Sequence, residues 1–400
     1  MELYRYRNQK KMRRGLSTGT CAAAAAKAAM EELVRDQFET KVSVRLPGGE
    51  QASLDVAKAP DGSFFTIKDG GDDPDATSGL EIHVRAARMD FPPLEEDLNR
   101  LHMFHDPEDP RLYLTGGPGV GMVTRKGLEQ DIGMYAINQV PRRMIFSSAK
   151  EVLDAAEIGH ADRFLLTVSV PGGETAALKT FNPKLGIING ISILGTSGVV
   201  EPMSEQSIVD TIEVEIRQQL ANGSRSMVFV PGNMGARYVE HDVLPRLGDL
   251  RLPIIQISNY VGDALDLAVS YELENVLLVG NIGKFIKLAA GIMNTHSHTA
   301  DARWEIMVSH AALQGVETLR LKELRQCITT EEMLTKLLEW GSLEPVVRSL
   351  LAEINRHLSA RLGDRVPFGL KVYSERYGLL GETPGTGKIL KALKHAGGTE

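Results

Sequence analysis

Apolar positions along the chain follow two different grammars. Up to about residue 190, short alternating runs are punctuated by turns rich in glycine, proline and aspartate. From Ile191 onward, short continuous apolar runs alternate with long helical patterns. In the first part, Arg14-Gly15-Leu16-Ser17-Thr18-Gly19-Thr20-Cys21-Ala22 leads into an alanine-rich segment. Ser17, Thr18 and Thr20 carry hydroxyls that satisfy the free N–H groups of a helix's first turn, and alanine has the highest helix propensity. A helix is therefore predicted from about Thr18 to Thr20 until near Asp36. Lys41 to Leu46 and Gln51 to Val56 read as strands joined by a turn at Pro47-Gly48-Gly49-Glu50. The same four residue types recur as Pro171-Gly172-Gly173-Glu174, where they again predict entry into a strand. Gly117-Pro118-Gly119-Val120-Gly121 follows a strand pattern, but no helical period comes after it, so it reads as β-structure with turns. The next helix is expected from Pro141, with apolar positions at Ile145, Val152 and Ala155.

In the second part, four strand, loop, helix units are predicted in succession. Their strands are Ile191 to Leu194, Met227 to Val230, Ile254 to Ile257 and Val276 to Val279, and the first of their helices is expected from Met203 to Leu220. Later come a helix from Ala300 to Leu313 capped by Thr299, a capping box at Thr329 and Glu332, helices to about Arg361, and a strand from Gly369 to Ser374. The fold class expected is α/β and α+β in two domains: an N-terminal α+β domain with hairpins, and a C-terminal doubly wound, Rossmann-like sheet with helices on both faces. The expected boundaries are 1–190, 191–365, and a tail over 366–400 that packs back on the body.

Length supports two domains, because 400 residues exceed the size at which single cores stop growing, about 250 to 300. A net charge of −7 and the lack of a basic stripe argue against nucleic acid as a partner. Cys21 and Cys327 offer no metal spacing and fit a reduced cytoplasmic protein. The N-terminal Arg13-Arg14 and the alanines mimic a secretory signal, yet Lys27 and Glu31-Glu32 interrupt it. No run approaches the ~18 apolar residues of a membrane span. The oligomeric state stays open, a homo-oligomer included.

Candidate chemistry gathers in three places. The helix start at Ser17, Thr18 and Thr20, with Arg13 and Arg14 just upstream, has the makings of an anion receptor, although a well-capped surface helix fits the same spacing. Lys68-Asp69-Gly70-Gly71-Asp72-Asp73-Pro74-Asp75-Ala76-Thr77 is an acidic loop. It fails as a calcium loop because Leu80 stands where the last ligand belongs, and it reads first as a solvated turn. In open α/β sheets ligands bind at the carboxyl ends of the strands, where the loops 195–198, 231–235, 258–262 and 280–284 would gather. His296 and His298 lack a third ligand nearby, so no metal is expected. Gly381 to Lys388 resembles a phosphate loop, but its spacing is wrong and Ile389 stands at the magnesium-binding position.

Taken together, Ser17 to Ala23, Lys68 to Thr77, Thr115 to Leu128 with Ala136-Ile137-Asn138, Asn182-Pro183 with Ile193 to Pro202, and Thr295 to Arg303 resemble the CbiD family of cobalt-precorrin-5B C(1)-methyltransferases. The resemblance spans nearly the whole chain in order. It implies S-adenosylmethionine as methyl donor and a cobalt-bearing tetrapyrrole as substrate, methylated at C-1 to cobalt-precorrin-6A in anaerobic cobalamin biosynthesis. The glycine pattern that opens common Rossmann methyltransferases is absent. The cofactor is accordingly expected on Gly195, Thr196, Ser197, Gly198, Gly232, Asn233, Asn259, Gly262, Gly280, Asn281 and Gly283. The corrinoid carboxylates are expected on Arg13, Arg14, Ser17, Thr18, Thr20, Arg125, Lys126 and Lys284. Asp72, Asp73 and His296 are the candidates for a general base. The rival readings are a kinase-like phosphate-binding enzyme and a non-catalytic corrinoid-binding protein.

Overall fold

A computed structural model describes residues 4–7, 10–202, 204–247 and 253–396. Met203, where one helix was expected to begin, lies outside the described residues, as does the end of the tail beyond residue 396. The chain divides into two compact units, Met1–Ser204 and Glu205–Glu400.

The first unit is built on helix α1 (Thr18–Arg35), whose alanines from Ala22 to Ala29 are at most 3% exposed apart from the half-buried Lys27. Small side chains let neighbouring elements approach a helix closely, and here the neighbours come from several sides. A hairpin of β1 (Lys41–Arg45) and β2 (Gln51–Asp55) alternates outward and inward residues, and Val42, Val44, Ala52 and Leu54 turn into the core. The main sheet contains β3 (Ala57–Lys58), β4 (Phe64–Ile67), β5 (Glu81–Arg88), β6 (Met103–His105), β7 (Leu112–Gly116) and, after helix α2 (Gln139–Ala155), β8 (Phe164–Ser169). Its order is β3-β4-β5-β8-β7-β6, antiparallel except where β7 pairs parallel to β8.

Two expectations fail in this unit. Gly173–Ala177 is a short helix rather than a strand, since Gly172 takes the left-handed conformation and Glu174 sits in the first helical turn. The apolar Ile191 and Ile193 are not the first strand of a parallel sheet. They fill the core of this unit, Gly190–Ile191 pairing with Gly119–Val120 and Ile193 bridging to Ile137. Residues 191–202 therefore belong with the first unit.

The second unit begins with α3 (Glu205–Ala221). It continues through β9 (Ser226–Val230), α4 (Asn233–Tyr238), β10 (Ile254–Gln256), α5 (Val261–Ser270), β11 (Asn275–Asn281) and α6 (Ile282–Phe285), which runs on as a 3-10 turn over Ile286–Ala290. Then come α7 (Arg303–Leu313), α8 (Thr330–Glu339), α9 (Leu343–Leu362), β12 (Phe368–Ser374), β13 (Gly378–Glu382) and α10 (Thr386–Ala396). The sheet order is β10-β9-β11-β12-β13, parallel through β12 and antiparallel at the β13 edge. The fourth parallel strand is thus β12, from near the end of the chain. Both sheet faces are covered: Met227 and Phe229 of β9 point into one apolar cluster and Val228 and Val230 into another. Ala302, not Thr299, flanks the start of α7, whereas the Thr329 and Glu332 capping box on α8 forms as the sequence predicts.

The phosphate-loop look-alike becomes the end of an edge strand, a turn and the start of α10. There the buried Thr383 and Thr386 hydroxyls both accept from the Leu370 N–H, and the Thr386 hydroxyl also donates to the Leu370 carbonyl.

Candidate functional site

The helix start at Thr18 is closed by the chain itself. Ser17 caps it, its Oγ accepting from the Thr20 N–H at 3.1 Å, while the Gly19 N–H donates to the Leu194 carbonyl at 3.1 Å. The Thr18 hydroxyl reaches the Ser192 and Leu194 carbonyls and accepts from the Leu194 N–H at 2.9 Å, and the Thr20 hydroxyl donates to the Gly198 carbonyl at 2.6 Å. All three side chains are at most 3% exposed. Ser17, Thr18 and Thr20 therefore lock residues 192–198 onto α1, and the expected anion receptor is filled by carbonyl oxygens.

Gly195 and Gly198 belong to the same lock. A Cβ on Gly195 would lie 2.3 Å from the Ser17 side chain, and one on Gly198 would lie 2.8 Å from Leu46. The exposed Thr196 and Ser197 sit in the loop between them, so none of the four follows a strand of the parallel sheet to which the sequence assigned them.

The acidic loop is a clasp, not a solvated turn. Leu16 N–H donates to the Asp69 carbonyl at 2.8 Å, Asp72 N–H to the Arg13 carbonyl at 2.9 Å, and Arg13 N–H to the Asp72 carboxylate at 2.6 Å. Gly15 and Gly70 meet backbone to backbone, for a Cβ on Gly15 would lie 2.3 Å from the Gly70 carbonyl carbon. Arg13 pairs with Asp69, whose carboxyl it holds below the usual range, and Arg14 pairs with Glu201. Beneath them the buried Lys68 pairs with Asp75, which also accepts from the Thr77 N–H and hydroxyl. Burial pushes the Asp75 carboxyl up, but Lys68 and Thr77 outweigh it and leave the group below its ordinary value. Asp72 is exposed and Asp73 half-buried at the loop's tip. Cys21, fully buried, has its thiol pushed up to about 11 by burial, which makes it a structural rather than a reactive cysteine. Arg125 and Lys126 lie exposed elsewhere on this unit, with Arg125 donating to the Lys184 carbonyl at 3.0 Å.

In the second unit, three of the four expected loops do gather at the carboxyl ends of neighbouring parallel strands. β9 delivers Pro231, Gly232 and Asn233; β10 delivers Gln256, Asn259 and Tyr260; β11 delivers Asn281, Gly283 and Lys284. They are tied to one another. Gln256 donates to the Asn233 side chain at 2.9 Å, Lys284 to the Pro231 carbonyl at 3.1 Å, and the Gly283 N–H to the Asn281 side chain at 2.7 Å. Residues 294–298 join them, because Thr295 N–H donates to the Asn259 carbonyl at 2.9 Å and Thr295 hydroxyl to the Asn259 side chain at 3.3 Å. His296 and His298 are stacked, exposed imidazoles. The His298 N–H donates to Nδ1 of His296 at 3.1 Å, so the proton of the neutral His296 ring sits on Nε2. That leaves His296 presenting a donor where a base was expected.

The glycines separate by what surrounds them. A Cβ on Gly280 would lie 2.5 Å from the buried Phe285 ring, and one on Gly262 would lie 2.8 Å from Met293, so packing alone accounts for glycine at both positions. Gly232 has φ +145 and nothing within 4 Å of its Cβ position. The space a side chain would fill there is open, beside the bonded pair of Asn233 and Gln256. Sequence reading missed Gln256, Thr295 and the buried Lys287, whose Nζ donates to the Thr295 carbonyl at 2.9 Å. The signal available was position: Gln256 ends a predicted parallel strand, and Lys287 stands three residues after Lys284 on one helical run. Among the described residues no group of three or more metal-ligating side chains forms, and no helix is long and apolar enough to cross a membrane.

Comparison with known proteins bears on the family of this chain. The CbiD family matches residues 5–202, and the CbiD C-terminal domain matches residues 294–384. Residues 203–293, which carry the three strand-end loops, fall in neither match. A relative from Thermoanaerobacter sp. (strain X514) is 42% identical over 338 residues, covering 84% of this chain and 85% of its own. One from Alkaliphilus metalliredigens (strain QYMF) is 36% identical over 406 residues and covers 99% of both chains. Both are named cobalt-precorrin-5B C(1)-methyltransferase. The crystal structure of a cobalamin biosynthesis protein (cbiD) from Archaeoglobus fulgidus is 24% identical, covers 75% of this chain and 88% of its own, and gives a TM-score of 0.39. On the strength of the family matches and of identity sustained end to end, this chain belongs to the CbiD family.

Proposed function

We propose that this chain is an S-adenosylmethionine-dependent methyltransferase that converts cobalt-precorrin-5B to cobalt-precorrin-6A by methylation at C-1. The observation that carries the reading is the near-complete match to relatives of that name, at 36% to 42% identity. The setting is anaerobic cobalamin biosynthesis, in the cytoplasm, and the second unit is read as a Rossmann-like donor domain.

The strand ends of β9, β10 and β11 fit an adenosyl donor. The Cβ position of Gly232 is open, which leaves room for a ligand to approach the backbone, and Asn233, Gln256, Asn259 and Asn281 supply side-chain donors and acceptors around it. The bound donor supplies an electrophilic sulfonium methyl. The residues' task is then positional: to hold carbon and sulfur in line and to exclude water from the reacting carbon. Arg125, Lys126 and Lys284 are the proposed partners for macrocycle carboxylates, since Arg13 and Arg14 are engaged in ion pairs and the hydroxyls near Thr18 are engaged in the helix lock. Asp72 and Asp73 remain the proposed bases, with His296 as a donor.

The test is direct. The full chain incubated with S-adenosylmethionine and cobalt-precorrin-5B should yield S-adenosylhomocysteine and a corrinoid heavier by one methyl, read by mass spectrometry. Binding of S-adenosylhomocysteine without any methyl transfer would leave only a binding protein, and no binding of either molecule would reject the reading.

A further inference from the structure

We propose that Lys284 and Lys287 form a built carboxylate-binding site at the carboxyl ends of β9, β10 and β11. The proposal rests on the functional reading above, which brings two carboxylate-bearing molecules to this chain: the amino-acid end of the donor and the acid side chains of the macrocycle.

Three observations converge on it. Lys284 and Lys287 are three residues apart on the helical run that leaves β11, so their side chains share a face. Each ammonium is anchored to one backbone carbonyl at the strand ends, Lys284 to Pro231 after β9 and Lys287 to Thr295, which is itself bonded to Asn259 after β10. Neither is paired with a carboxylate among the described residues. An ammonium has three donors, and Lys287, only 3% exposed, uses one of them on a protein acceptor.

A buried cation without a counter-ion is costly, so an anion that arrives to pair with it is correspondingly favoured. The nearest acid does not do so. Asp301 lies close enough to be felt by Lys287, but Arg303 takes both of its oxygens at 2.6 and 2.9 Å. Asp301 therefore acts on Lys287 only at a distance, no carboxylate is bonded to either ammonium among the described residues, and Lys287 repels Lys284. Burial lowers the pKa of both lysines, and Lys287 lowers that of Lys284 further. A carboxylate entering between them would relieve the repulsion and accept the spare N–H donors in one step. Lys284, half-buried, would be the contact nearer solvent and Lys287 the deeper one.

The experiment uses the full chain as wild type, Lys284→Gln, Lys287→Gln and Lys287→Arg, each checked for folding by circular dichroism and thermal unfolding. Calorimetry measures S-adenosylhomocysteine and, beside it, 5′-methylthioadenosine, which keeps the nucleoside and lacks the carboxylate. If the donor supplies the carboxylate, Lys284→Gln should bind S-adenosylhomocysteine at least tenfold more weakly and methylthioadenosine as before, and Lys287→Arg should recover part of the loss seen with Lys287→Gln. If the macrocycle supplies it, S-adenosylhomocysteine binding stays unchanged while KM for cobalt-precorrin-5B rises at least tenfold with kcat kept. Either result supports the site. Folded Lys284→Gln with both affinities and KM within twofold of wild type overturns it, even if Lys287→Gln fails to fold. Wild-type chain that binds neither molecule overturns the functional reading and the site with it.

Discussion

The helix start at Thr18 and the strand ends of β9 to β11 look alike in sequence, each a cluster of glycines, hydroxyls or amides beside basic residues, yet they are opposites in structure. At Thr18 the Ser17 hydroxyl is spent on capping the helix, and the Thr18 and Thr20 hydroxyls are spent on residues 192–198 of the same chain. At the strand ends, Gly232 opens on free space and two lysines lack carboxylate partners among the described residues. The residue types do not distinguish a lock from a receptor; the count of acceptors and donors left over does.

The largest expected effect that sharpens this contrast lies in the clasp supporting the lock. Lys68→Met strands the half-buried Asp75 without its cation and should cost about 3 to 5 kcal/mol of stability, measured by denaturant unfolding. Next comes the lock itself. Thr18→Val should cost about 1 to 3 kcal/mol by leaving the Leu194 N–H unmet, while Thr18→Ser keeps most of it. A Thr18→Val chain of wild-type stability but weaker substrate binding would break the comparison.

The glycines give a paired test of intermediate size. Gly280→Val should destabilise the second unit by about 1 to 3 kcal/mol through collision with Phe285. Gly232→Val should instead weaken S-adenosylhomocysteine binding tenfold or more, with a strain cost of about 1 to 3 kcal/mol from its left-handed backbone. Reversed outcomes, with binding lost at Gly280 and kept at Gly232, would move the donor site elsewhere.

The smallest effect is the pH response of the clasp. The folded pKa of Asp75 lies below its unfolded value, so its contribution is complete at neutral pH. It is lost as pH falls below about 3.8 through the lower folded value. Asp75→Asn should flatten the low-pH limb of a plot of Tm against pH.

Local signals made much of the fold legible. Alanine propensity and the Ser17 cap gave α1, alternation gave the β1 and β2 hairpin, and the Thr329 and Glu332 spacing gave the start of α8. The failures concern long-range choices. An apolar run such as Ile191 to Leu194 is equally good as core of either unit, and nothing local says that β12 rather than this run completes the parallel sheet. At Pro171 to Glu174 the turn residues pointed to a strand, whereas the alanines that follow favour the short helix that forms. For the site, position at strand ends was readable and occupancy was not. Gly232 and Gly280 share a residue type and a place near the carboxyl end of a parallel strand, and the Phe285 ring beside Gly280 tells them apart.

The late arrival of β12 has a consequence for biogenesis. β11 ends at Asn281, but its parallel neighbour starts at Phe368, so on the ribosome the growing sheet exposes an unpaired inner edge while all the intervening helices are made. Closing that long loop is entropically slow, and open edges invite pairing with other chains. Nascent chains stalled or truncated before residue 374 should accordingly depend on chaperones, and those extended past β12 should become protease-resistant.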